Sequence, residues 1–134
     1  MQYMFAYCSS LENLDLSFFD TSKVNDMSFM FQNCFSITSI NLSSFDLTKV
    51  TTMERIFENC TNITYINLIK SDDTNVRNMH KIFYGTPLNM VFCINEYSVK
   101  NINRLLKDYK DDCYNISCDS NYEEHRKKYL RMAL

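Results

Sequence analysis

The chain has 134 residues, 46% of them hydrophobic and 22% charged, which suits one folded domain and excludes a disordered polymer. Lys+Arg number 14 against Asp+Glu 16, a formal net charge of -2, so no basic excess points to nucleic acid. No apolar run approaches the ~18 residues of a membrane span, and the N-terminus carries no signal-peptide pattern.

From Met4 onward the chain repeats. Residues 4–29, 30–55 and 56–81 align without a gap, and the first two share 11 identities in 26 positions and the second and third 12. Unrelated segments would share about two, so the fixed period marks a stacked array. Such an array also accounts for a chain with only one Gly and one Pro, because shared geometry replaces unrelated tight turns.

Each column has a physical role. In chain order, Leu14-Asp15-Leu16, Ile40-Asn41-Leu42 and Ile66-Asn67-Leu68 alternate apolar and polar, which predicts a short half-buried strand in each unit. Downstream, Val24, Met27, Met30, Phe31 and Cys34 fall at offsets 0, 3, 6, 7 and 10, the spacing of one helical stripe, with Gln32 off it. Ser22, Thr48 and Thr74 precede the recurring valine by two residues, where a hydroxyl can cap a helix start. The expected fold is α/β: a leucine-rich-repeat-like solenoid, one short strand and one short helix per 26-residue repeat, with a degenerate C-terminal cap.

The fuller pattern, L-x-x-L-D-L-S-x-F-D-T-S-x-V-x-D-M-S-x-M-F-x-x-C over residues 11–34, resembles the BspA-type leucine-rich repeat of bacterial and protozoan surface proteins. The resemblance covers residues 1 to about 85. It implies a surface or secreted adhesin-like protein that binds host or matrix proteins, and it supplies no catalytic residues.

Toward the C-terminus the array decays. Ile82-Phe83 keeps the phase, but Thr86 replaces the column cysteine, and Gly85 and Pro87 are the only breakers. Residues 82–107 read as a degenerate last unit that closes a solenoid over 1–107. Residues 108–134 read as a cap ending in a helix over 122–134. At the other end Met1 matches Met27 in phase, so the array starts in mid-repeat, as a fragment would. Its first apolar rung, from Met4 and Phe5 to Leu16, is expected to lie open and to favour self-association.

Candidate chemistry is sparse. Cys8, Cys34 and Cys60 share one apolar column, whereas Cys93, Cys113 and Cys118 lie toward the cap and could form a disulfide. These three with His125 match no zinc spacing, and neither His80 nor His125 belongs to a nucleophile motif. Asp20, Asp46 and Asp72 form a column that suits turns better than calcium. Arg126-Lys127-Lys128 with Arg131 reads as a solvated cap face, and four N-x-S/T triplets do not exceed chance. No enzyme activity and no cofactor are expected. The expected function is protein interaction through the outward strand residues Asn13, Asp15, Ser39, Asn41, Tyr65 and Asn67, at a cell surface or outside the cell. The alternative is an intracellular repeat scaffold with every thiol reduced.

Overall fold

The computed structural model describes residues 1–68, 71–87, 90–93, 101, 115 and 116. Four short strands, β1 (Ser39–Asn41), β2 (Tyr65–Asn67), β3 (Val91–Cys93) and β4 (Asn115–Ile116), form one parallel sheet in chain order. The register follows the repeat: Ile40 pairs with Ile66 and Ile66 with Phe92, so one column of the sequence becomes one column of the core. The strand expected at Leu14-Asp15-Leu16 does not form. Leu14 there is only half-buried, where Ile40 and Ile66 in the same column are buried. β4 falls within the stretch expected to be cap, and it pairs with β3.

Opposite the strands the expected helix is replaced by turns in the units up to residue 87, whereas Asn101 is helical. A helix would close each amide on the carbonyl four residues back. Instead the amides of Met30, Gln32 and Cys34 reach only three residues back, while those of Met27, Phe29, Phe31 and Asn33 donate to Thr52, Glu54, Ile56 and Glu58 of the next unit. The same alternation recurs in the turn segments 1–8 and 53–60, so successive units are stitched by a second ladder. Every fourth residue is left-handed: Phe29 and Asn33 at φ 61° and 59°, Arg55 and Asn59 at 53° and 59°. A helix cannot tolerate that alternation, yet the apolar stripe survives it. Met27, Met30, Phe31 and Cys34 are fully buried.

Asparagine is one of the few residues with a side chain that accepts the left-handed region at little cost. Asn33 and Asn59 also join across units, the Asn59 amide donating to Asn33 Oδ1 at 2.8 Å. Gly85 occupies the same column at φ 74°, and a Cβ there would meet Asn59 Oδ1 at 2.4 Å. Gly85 therefore continues the array's geometry and does not mark its decay.

Aspartate and asparagine make the corners in place of glycine. Asp20, Asp46 and Asp72 each accept the amide two residues on, at 3.0, 2.9 and 3.0 Å. Those amides belong to Ser22, Thr48 and Thr74, which begin no helix. Asp26 and Asn78 repeat the device toward Ser28 and His80. A side chain bonding its own downstream backbone fixes a turn without needing φ above zero.

Between the two ladders lies a stacked core. Phe5, Phe31, Phe57 and Phe83 form one column with ring centroids 5.6, 5.7 and 6.0 Å apart and planes within 8°. Beside them the Cys34 thiol donates to the Phe5 carbonyl at 3.0 Å, and the Cys60 thiol to the Phe31 carbonyl at 3.1 Å. The cysteine column thus combines a small apolar body with a donor that reaches back one unit. Burial pushes the Cys34 thiol up to about 11 and the Cys60 thiol up to about 12. Gln32, expected outside the stripe, is buried and donates its side-chain amide to the buried Glu58 carboxylate. It answers a neighbouring unit's charge, which no single-unit pattern contains.

Candidate interaction surface

The strand face offers the sequence-derived candidates unequally. Asn13, Asp15 and Asn41 are exposed, and Ser39 and Asn67 are half-buried. Tyr65, expected to face outward, is 3% exposed. It sits on the central strand β2 with Ser39 and Val91 in register on either side, so a large ring there is shielded where Ser39 is not. Cys93 continues the column of Asn41 and Asn67, and it is also buried, at 1%, and disulfide-bonded. The other two cysteines of the candidate cap disulfide, Cys113 and Cys118, lie outside the described residues. Cys8, Cys34 and Cys60 are free thiols.

Several face residues also hold the backbone. Asn41 Oδ1 accepts the Ser43 amide at 3.0 Å, and Asp15 Oδ1 accepts the Ser17 amide at 2.9 Å. The Ser17 amide, then its hydroxyl, hold the Asp15 carboxyl below its usual range. Asp20 and Asp46 are lowered in the same way, by the hydroxyls and amides of Ser22 and Thr48. The Asp column is thus engaged in turns. Among the described residues no group of three or more His, Cys, Asp or Glu could hold a metal ion. His80 is exposed and its amide caps onto Asn78. His125, the basic cluster around Arg126 and the expected terminal helix lie outside the described residues. No helix among the described residues is long and apolar enough to cross a membrane.

The first rung, expected to lie open from Met4 and Phe5 to Leu16, has exposed apolar neighbours that the sequence reading did not name. Tyr3, Met4, Tyr7 and Phe18, at the N-terminal end, are 50, 46, 68 and 89% exposed. Tyr3 stacks on Phe29 at 4.5 Å, and the Arg55 guanidinium lies 5.8 Å from the other ring. The signal was available in the phase: Tyr3 and Tyr7 stand two residues to either side of the buried-column Phe5, in the positions that turn left-handed.

Residues 1–91 match the family described as "Mycoplasma protein of unknown function, DUF285". The chain belongs to that family. No curated protein and no solved structure matches the chain. The DUF285 match ends at β3, so the repeats and the family region coincide up to the third strand.

Proposed function

We propose that this DUF285 chain is a stretch of a leucine-rich-repeat-like solenoid, of the BspA surface type, that binds another protein and catalyses no reaction. The in-register pairing of Asn41 on β1 with Asn67 on β2 supports this most directly, because it sets polar groups of adjacent units side by side on one face. Strand side chains alternate, so these residues present themselves while Ile40 and Leu42 hold the core. The disulfide at Cys93 favours an oxidising compartment, hence a cell-surface or extracellular setting and a host or matrix protein as partner.

The test uses Ser39→Glu with Asn41→Asp. Aspartate keeps an acceptor for the Ser43 amide, so melting should change little, within roughly 0.5 kcal/mol for surface sites. Two unpaired charges on the face should weaken capture of a matrix protein that the native chain retains. Equal capture by both proteins, or none by the native chain, would reject this face. Thiol titration of the denatured, unreduced protein separates the compartments: four thiols fit one disulfide among the six cysteines, and six fit the intracellular scaffold.

A further inference from the structure

The two left-handed columns of the turn side are filled differently. Tyr7, Asn33, Asn59 and Gly85 share one, and asparagine and glycine accept positive φ at little cost. Tyr3, Phe29, Arg55 and Lys81 share the other at φ 55°, 61°, 53° and 53°, where a Cβ crowds the following carbonyl oxygen. The stack requires the same conformation at both columns, yet neither asparagine nor glycine enters the second. Long side chains are therefore held there, under strain, for what they present.

What they present is a stripe running along the stack, one side chain per unit. Phe29 and Arg55 are half-buried and Lys81 is exposed. The Arg55 guanidinium lies 5.8 Å from the Phe29 ring, and Lys81 Nζ lies 5.1 Å from the Tyr84 ring. Positive charge is left over toward the Lys81 end. Arg55 meets Glu54 through Nε at 3.4 Å and Glu58 through Nη1 at 3.6 Å, which leaves Nη2 without an ion pair among the described residues. Lys81 and the exposed Arg77 have none there either, and no Asp or Glu occurs from residue 74 to 95.

The spacing of the stripe suits one kind of ligand. The phenylalanine rings of successive units stand 5.7 and 6.0 Å apart. An extended chain sets alternate side chains about 6.4–6.8 Å apart on one face, so three alternate residues can follow three units. We propose that Phe29, Arg55 and Lys81 form a docking surface for an extended acidic segment of a partner protein. An apolar residue of that segment lies beside Phe29, and carboxylates two and four residues further on meet Arg55 and Lys81. The surface belongs to the turn side, so it is independent of the strand face and of its partner.

The experiment measures fluorescence anisotropy of a labelled peptide, Leu-Ser-Glu-Ser-Glu-Ser, titrated with the full chain. Saturable binding is expected. The permuted peptide Leu-Ser-Ser-Glu-Glu-Ser has the same composition and charge, but its adjacent carboxylates point to opposite faces of an extended chain, so it should bind about tenfold more weakly. Lys81→Glu turns an attraction into a repulsion and should weaken the first peptide about tenfold, whereas Lys81→Arg should retain it. Lys49→Glu, at an exposed lysine on the strand side, makes the same change in net charge and should alter binding little. Circular dichroism of each variant should match the native chain. No saturable binding, equal binding of the permuted peptide, or an equal loss with Lys49→Glu overturns the proposal.

Discussion

The two sides of each repeat bury similar residues by different backbones. On one side three extended residues pair in parallel and send alternate side chains inward, so Ile40 and Ile66 are buried and Asn41 is exposed. On the other side, turns of alternating hand lay Phe31 and Phe57 over one another and send every second amide to the next unit. Both sides satisfy their backbone groups between units, which is the requirement that burial imposes. The difference shows that a helical spacing of apolar residues specifies which side chains go inward. It does not specify how the backbone between them is hydrogen-bonded.

The largest expected effect compares the two cores directly. Phe57→Ala removes a ring from between Phe31 and Phe83 and leaves a gap between units, so it should cost roughly 3–5 kcal/mol. Ile66→Ala in the middle of the sheet should cost about 2–5 kcal/mol, with a smaller void. Urea denaturation midpoints measure both. A Phe57→Ala midpoint at the native value would mean that the turn side carries no share of the core.

A middle-sized effect tests the buried polar pair on the turn side. Gln32→Ala leaves the Glu58 carboxylate, among the described residues, with the Arg55 guanidinium 3.6 Å away, where it had a direct donor. Losing a hydrogen bond to a buried charged group costs about 1.5–3 kcal/mol, and thermal melting should show it. A change below half a kcal/mol (about the scatter of surface substitutions) would show Gln32 to be the bystander its sequence position suggested.

The smallest effect concerns the corners that join the two sides. The Asp15, Asp20 and Asp46 carboxyls titrate below their unfolded values because serine or threonine hydroxyls and amides hold the charged form. A depressed folded value adds stability that is fully present above the unfolded value near pH 4 and is lost as pH falls through the folded one. Melting temperature should therefore decline below about pH 4. Asp46→Asn keeps the acceptor without the charge, so it should flatten part of that decline with little change at pH 7. An unaltered acid limb would place the loss elsewhere.

Much of this architecture was legible in single columns. The phase of Phe5, Phe31, Phe57 and Phe83 predicted a stack, and the stack is there. The alternation at Ile40 and Ile66 predicted strands, and Val91 and Phe92 extend them at the expected register. The aspartate column read as turns and forms them. Of the proposed face, Asn13, Asp15 and Asn41 are exposed, Ser39 and Asn67 are half-buried and Tyr65 is buried, since alternation cannot tell what a neighbouring unit shields.

What the sequence determined by itself is the period and the list of residues that face the core, because both are properties of one unit repeated. Only the tertiary structure decided the turn conformation, the buried partnership of Gln32 with Glu58, the role of Gly85 and the second ladder between units. Each of these depends on where the next unit's carbonyls and side chains lie. A helix satisfies its amides within itself, but a stacked unit can satisfy them in its neighbour, and that choice is made by the stack.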